Sequence, residues 1–163
     1  MIPTAAVKTL RNSVAGIFVL LVTITSCYSQ AQGNIWYFAR TLGLDFNTAP
    51  PSVLVDGQID YDIGGTEGSA SIASNDGKLL FYANGEKVWN RKHQIMKNGD
   101  GLMGHHSSTN GAVIVPLPGE NSKYYVFNTH AFQERLANGL RYSMVDMCGD
   151  NGYGEVIPSS KNT

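Results

Sequence analysis

Ser69-Ala-Ser-Ile-Ala-Ser-Asn-Asp-Gly-Lys-Leu-Leu-Phe-Tyr-Ala-Asn-Gly-Glu-Lys-Val-Trp-Asn90 is the stretch on which the fold turns. Residues 69–74 alternate small and apolar side chains, residues 78–83 are an apolar and aromatic run, and residues 87–90 repeat the pattern after a short gap. The gaps are Asn75-Asp-Gly77 and Asn84-Gly85, the residue types that close tight turns between antiparallel strands. An Asx side chain bonds its own backbone in such a turn, and Gly supplies a positive φ without a steric penalty. Asp76 and Gly77 are therefore read as structural turn residues, and the whole stretch as a three-strand meander. Residues 74–81 are similar to the Asp-box turn of sialidase-like propellers, with a spacing one residue too short; even a true Asp-box would be structural.

The same texture extends in both directions. Upstream, Asn34-Ile-Trp-Tyr-Phe38 is aromatic and β-branched. Downstream, residues 111–116 form an apolar run ended by Pro116-Leu-Pro118, residues 119–122 form a turn, and residues 123–128, 140–146 and 154–157 read as further strands. Only residues 131–137 suggest a helix. The strands opening near Ser69 and Gly111 lie about 42 residues apart, the length of one four-stranded propeller blade. The expected fold is all-β, with antiparallel meanders forming two to three blades of an incomplete β-propeller. Residues 32–163 would be this partial domain, a truncated piece of a longer ring, because closure takes four or more blades of ~40–45 residues. An open sheet of this kind would expose an edge and self-associate.

The first thirty residues have a different character. Lys8 and Arg11 precede the apolar run 14–24, and small or polar residues follow through Ala31. That is the three-part layout of a secretory signal peptide over residues 1–31. The run is too short for the ~20 residues of a spanning helix, so no membrane span is expected after cleavage. Ser29-Gln-Ala31 offers the favoured cleavage point. The competing reading is Ile24-Thr-Ser-Cys27, which resembles a lipobox and would leave Cys27 acylated. Removing residues 1–31 takes away Lys8 and Arg11 and no acid, leaving 10 basic against 13 acidic residues, a net charge of −3. A chain so weakly charged carries no footprint for nucleic acid. Its 2 cysteines cannot build a disulfide scaffold, and Cys148 is read as a small buried hydrophobe.

The ordered series Gly33-Asn-Ile-Trp-Tyr-Phe38, Gly43-Leu-Asp-Phe-Asn47, Glu67-Gly68, Asp76-Gly-Lys-Leu-Leu-Phe-Tyr82, Val88-Trp-Asn-Arg91, His93-Gln-Ile-Met96, Asn98-Gly99, Val113-Ile-Val-Pro116, Tyr124-Tyr-Val-Phe127 and Tyr142-Ser-Met-Val-Asp146 resembles one family. It is similar to the N-terminal propeller-like region of large secreted proteins of gliding Bacteroidota, which often carry PKD-type repeats and a type IX secretion sorting domain. The resemblance covers residues 33–156. It implies a secreted or surface-displayed β module and no known reaction, and neither a PKD-like repeat nor a sorting domain is present in these residues.

No catalytic constellation stands out. His105 and His106 sit in the Gly- and Ser-rich run 98–109, with His93 upstream and His130 downstream. Adjacent side chains on a strand point to opposite faces, and no zinc-ligand spacing supports them, so they read as a solvated loop with no metal. Asn98 and Asp100 lack the ligand run of a calcium loop. Asp60, Asp62 and Glu67 read as turn acids rather than a glycosidase pair. Ser107, Ser108 and Thr109 lack a nucleophile elbow. Trp36, Tyr37, Phe81, Tyr82, Trp89, Tyr124 and Tyr125 are expected mostly between blades, with a sugar-stacking platform as the functional alternative. No cofactor is expected. The expected function is a secreted, non-enzymatic adhesion or binding module for an extracellular protein or polysaccharide, completed by the remaining blades of a parent propeller. The alternative is a fragment of a carbohydrate-active propeller enzyme whose catalytic residues lie elsewhere.

Overall fold

The computed structural model describes residues 31–59 and 67–163. The leader segment through residue 30, with Cys27, and the acids Asp60 and Asp62 lie outside the described residues. Within them the chain is all-β, and no helix is long and apolar enough to cross a membrane. A three-stranded antiparallel sheet holds β1 (Ile35–Phe38), β2 (Leu42–Asp45) and β3 (Ser52–Leu54). The larger sheet contains β4 (Ser69–Ala73), β5 (Leu79–Asn84), β6 (Lys87–Asn90), β7 (Ile95–Asp100), β8 (Ala112–Pro116), β9 (Lys123–Thr129), β10 (Leu140–Asp146) and β11 (Glu155–Val156).

Its strand order is β4-β5-β6-β7-β11-β10-β9-β8, two antiparallel meanders joined where β11 runs parallel to β7 at the pair Glu155↔Lys97. Following the strand directions through the sheet, its two edge strands β4 and β8 run the same way. They lie side by side, which nearly closes the sheet into a barrel-like form. Gly68 and Gly111 permit that approach: a Cβ on Gly68 would stand 2.1 Å from the Gly111 nitrogen. Pro116 sits on the edge strand β8, where its missing N–H breaks no ladder.

All eight strands contribute to one core, with Ile72, Phe81, Val88, Met96, Ala112, Tyr124, Val126, Val145 and Val156 among its members. A second core lies on the other side of β4, β5 and β6, where Ala73, Tyr82 and Trp89 meet Ile35, Tyr37 and Ile59. Strand β5 explains its own unbroken apolar sequence, because Phe81 faces the first core and Tyr82 the second, both 0% exposed. Strand β9 instead alternates, with Tyr124, Val126 and Asn128 buried and Tyr125 and Phe127 turned outward. Against β9, Val113 pairs with Phe127 and Val115 with Tyr125 on the outer face.

The strands expected from the sequence at β1, β4–β6 and β8–β11 are present within a residue or two. Three were not expected: β2, β3 and β7. Strand β7 reads Ile-Met-Lys-Asn-Gly-Asp, and only Met96 and Gly99 of it are buried, so its apolar signal is a single side chain. The helix expected over 131–137 is replaced by one 3-10 turn, Phe132–Glu134, because Arg135 and Leu136 take φ +57° and +52° and end it. One turn cannot offset the cost of helix nucleation.

Candidate functional site

The most chemically dense region is assembled by two turns. Between β5 and β6 the Asn84 Oδ1 accepts the N–H groups of Glu86 (2.8 Å) and Lys87 (2.7 Å), an Asx turn that lifts Glu86 out of the ladder. After β7 the chain lies back across this turn, with Leu102 N–H on the Glu86 carbonyl (2.8 Å) and Gly104 N–H on the Gly85 carbonyl (2.9 Å). Only glycine fits there, because a Cβ on Gly104 would sit 2.3 Å from the Gly85 oxygen. The chain then reverses, and Ser108 N–H bonds the His105 carbonyl at 3.1 Å.

His105 and His106 therefore occupy a turn and not a strand. Their rings stack, with centroids 4.1 Å apart and 28° between planes. The expectation that neighbouring rings face opposite ways fails here because the alternation belongs to extended backbone alone. Nor is this a solvated loop: the His105 side chain is only 15% exposed. Glu86 Oε1 accepts the His106 backbone N–H (3.1 Å) and stands 2.9 Å from His106 Nδ1. Burial pushes the Glu86 carboxyl up, but the hydrogen bonds from His106 and the charges of the two rings outweigh it and hold the group below the usual carboxylate range. One donor atom from each of Glu86, His105 and His106 lies within 4.8 Å of the others.

Glu134 reaches the group from the 3-10 turn after β9. Its Oε1 is 3.3 Å from His105 Nε2 and its Oε2 is 3.4 Å from His130 Nε2. His105 Nδ1 accepts the Ser107 N–H at 3.1 Å, which places its lone pair on Nδ1 and its proton on Nε2, the nitrogen within ion-pair distance of Glu134. His130 is buried, and its Nδ1 has no hydrogen-bond partner. His93 belongs elsewhere, against Tyr37 and Tyr82, with Asp56 Oδ2 3.4 Å from its Nε2.

Beside this cluster lies a cleft of about 550 Å³. Its polar lining is Glu67, Ser107, Ser108, Thr109, Asn110, Thr129, His130 and Gln133, and its apolar lining is Phe132 and Leu136. The polar groups are pre-set by one another: Ser108 Oγ and Thr129 Oγ1 are 2.7 Å apart, and Gln133 Nε2 donates to Ser107 Oγ at 2.6 Å. Thr109 Oγ1 donates to Glu67 Oε2 at 3.5 Å, so the one described member of the acid trio sits at the cleft. Phe132 is 85% exposed, the most exposed large apolar side chain among the described residues.

The remaining sequence candidates are structural. Asp76 accepts from Ser74 Oγ and pairs with Lys78 Nζ at 2.8 Å, and the Lys78 and Ser74 bonds hold its carboxyl below the usual range. Gly77 takes φ +80°, and its carbonyl accepts from Asn47 Nδ2 at 2.9 Å. Cys148 is exposed, correcting its reading as a buried hydrophobe. It follows β10 in a turn where Asp146 Oδ1 takes its N–H, and it belongs to neither core. Asn98 Nδ2 donates to the Val156 carbonyl, which ties β7 to β11, and Asp100 Oδ1 accepts the Gly101 N–H of its neighbour. Of the aromatics, Tyr37, Phe81, Tyr82, Trp89 and Tyr124 are core, while Trp36 is 51% exposed against Phe46.

Sequence reasoning missed Glu86 and Glu134. Glu134 follows His130 by four positions, a spacing visible in the sequence; Glu86 is joined to the histidines only by the folding of one turn over another. No protein-family model, curated protein or solved structure matches the chain.

Proposed function

We propose that the chain is a secreted, non-catalytic binding module built of β-propeller-type blades, and that it holds a neutral carbohydrate in the cleft beside residues 107–110 and 129–136. The observation that carries this reading is the cleft itself. Its lining is mostly hydroxyl and amide groups, with Glu67 and His130 among them, and it includes a highly exposed ring, Phe132. Sugars offer hydroxyls to such a lining and an apolar C–H face to such a ring, and a ligand site of this size with few fixed polar groups is ordinary for a small molecule. The pre-set hydrogen bonds of Ser108, Thr129 and Gln133 lower the ordering cost of binding.

The blade reading is supported by repetition. Strands β4 and β8 begin at Ser69 and Ala112, 43 positions apart, and each opens a four-stranded meander. That interval falls within the ~40–45 residues of a propeller blade. The opening strands lie together, β1 beside β4 and β4 beside β8; one core is enclosed by the two meanders of the larger sheet and the other lies between the small sheet and β4–β6. The single pair Glu155↔Lys97 is where the barrel-like and blade descriptions differ. Secretion rests on the leader reading of residues 1–31 and on the resemblance to surface proteins of gliding bacteria.

A glycan array probed with the full chain, followed by calorimetry on each hit, tests the proposal. Wild type is expected to bind neutral oligosaccharides, and Phe132→Ala to weaken binding about tenfold, the loss of one stacked ring at ~1–1.5 kcal/mol. Failure to bind any glycan, or equal binding by the variant, would overturn it.

A further inference from the structure

We propose that Glu86, His105 and His106 form a site for a divalent transition-metal ion of the zinc class, with Glu134 orienting the His105 ring from behind. The inference is independent of the carbohydrate reading, since none of the three ligands lines the cleft.

Three observations carry it. The donor set is two imidazoles and a carboxylate, gathered within 4.8 Å by turns that glycines 85 and 104 allow to touch. Imidazole with carboxylate suits zinc and its neighbours, whereas calcium and magnesium ask for six or more oxygens. The spacing is already close to that of a metal centre. Glu86 Oε1 and His106 Nδ1 stand 2.9 Å apart. Two ligands of one tetrahedral zinc keep roughly 3.4 Å between them, from metal–ligand bonds of about 2.0–2.1 Å. Lone pairs in near-parallel ring planes do not converge on one ion, so binding turns the half-exposed His106 ring out of its stack on His105.

The tautomer of His105 provides the third observation. Its Nδ1 carries the lone pair, and its Nε2 lies 3.3 Å from Glu134 Oε1. A metal-ligating histidine commonly donates its other N–H to a carboxylate, which fixes the ring and strengthens the ligand. An ion on Nδ1 displaces the Ser107 N–H, which needs the backbone at Ser107 to turn aside, while Glu134 stays on the other ring nitrogen. Glu134 is thus a positioning residue, and three protein ligands leave a coordination position for water. The ion would bind without a redox change and release any proton held on the ligand atoms.

The test is equilibrium dialysis of the full chain against Zn²⁺ at neutral pH, with Co²⁺ absorption as the spectroscopic probe. One zinc per chain, a higher thermal midpoint with zinc and a tetrahedral Co²⁺ spectrum are expected. His105→Gln and His106→Gln should each weaken zinc at least about a hundredfold, and Glu134→Gln about 10–100-fold with the Co²⁺ band positions of the bound form kept. No stoichiometric zinc, or zinc retained by both histidine variants, would overturn the proposal. Should a histidine variant fail to fold, zinc-induced changes in the ¹⁵N resonances of His105 and His106 in the wild-type chain decide it: changes support the site, and unmoved rings overturn it.

Discussion

At the scale of single residues, the protein places two tyrosines where ionisation would be costly. Burial pushes the Tyr82 phenol up to about 12, and burial followed by the hydrogen bond to Asp56 pushes Tyr37 further in the same direction. The ordinary value is 10.0. Between pH 10 and about 12 the unfolded chain has released the Tyr82 proton and the native chain has not, so the unfolded state binds fewer protons and stability falls as pH rises. Full stability from this group is present below pH 10. Denaturant titrations across this window should show the midpoint dropping for wild type and dropping less for Tyr82→Phe; equal slopes would show that Tyr82 does not drive the loss.

Asn128 makes a complementary residue-scale case. It is 0% exposed, and neither its Nδ2 nor its Oδ1 has a partner. Leaving a buried amide unsatisfied costs about 1–3 kcal/mol. Asn128→Leu, similar in shape and without polar atoms, should raise stability by roughly 1–2 kcal/mol in a denaturant melt. A loss of stability would mean that the amide has a role the fold requires.

At the scale of elements, the strands were legible wherever sequence alternation or aromatic runs reported burial. Strand β5 was read from Leu-Leu-Phe-Tyr-Ala because it is buried on both faces, and β9 from Tyr-Tyr-Val-Phe because it is buried on one. Strands β2, β3 and β7 escaped notice because β2 and β7 carry glycines and β3 buries none of its residues. The site was less legible than the fold. The histidines could be seen, but that they share one side depends on the turn at 105–108, and Glu86 arrives through a backbone contact that no spacing rule encodes. Gly104 is the element-scale test of this arrangement. Gly104→Ala forces a methyl group against the Gly85 carbonyl, and should cost about 1–3 kcal/mol by overpacking and weaken zinc binding together. An unchanged melt and zinc affinity would show that the two turns do not depend on their close approach.

At the scale of the whole molecule, the two cores are coupled through β5. Phe81 packs on Tyr124 in one core, with ring centroids 5.4 Å apart, and Tyr82 stacks between Tyr37 and Trp89 in the other. Adjacent residues of one strand cannot lose their packing separately, so both cores should melt in a single transition. Phe81→Ala in a Trp36→Phe background should lower that midpoint by an amount equal to about 3–5 kcal/mol, seen identically by near-UV circular dichroism and by fluorescence from Trp89. Separate transitions from the two probes would show that the cores are independent.

Strand β9 ties the cleft to the first core, since it supplies Tyr124 to that core and Thr129 to the cleft lining. Hydrogen-exchange footprinting of the full chain with and without a bound neutral oligosaccharide therefore tests the account most directly. Slowed exchange confined to residues 107–110 and 129–136 is the predicted result, and protection centred elsewhere, or none, would contradict it.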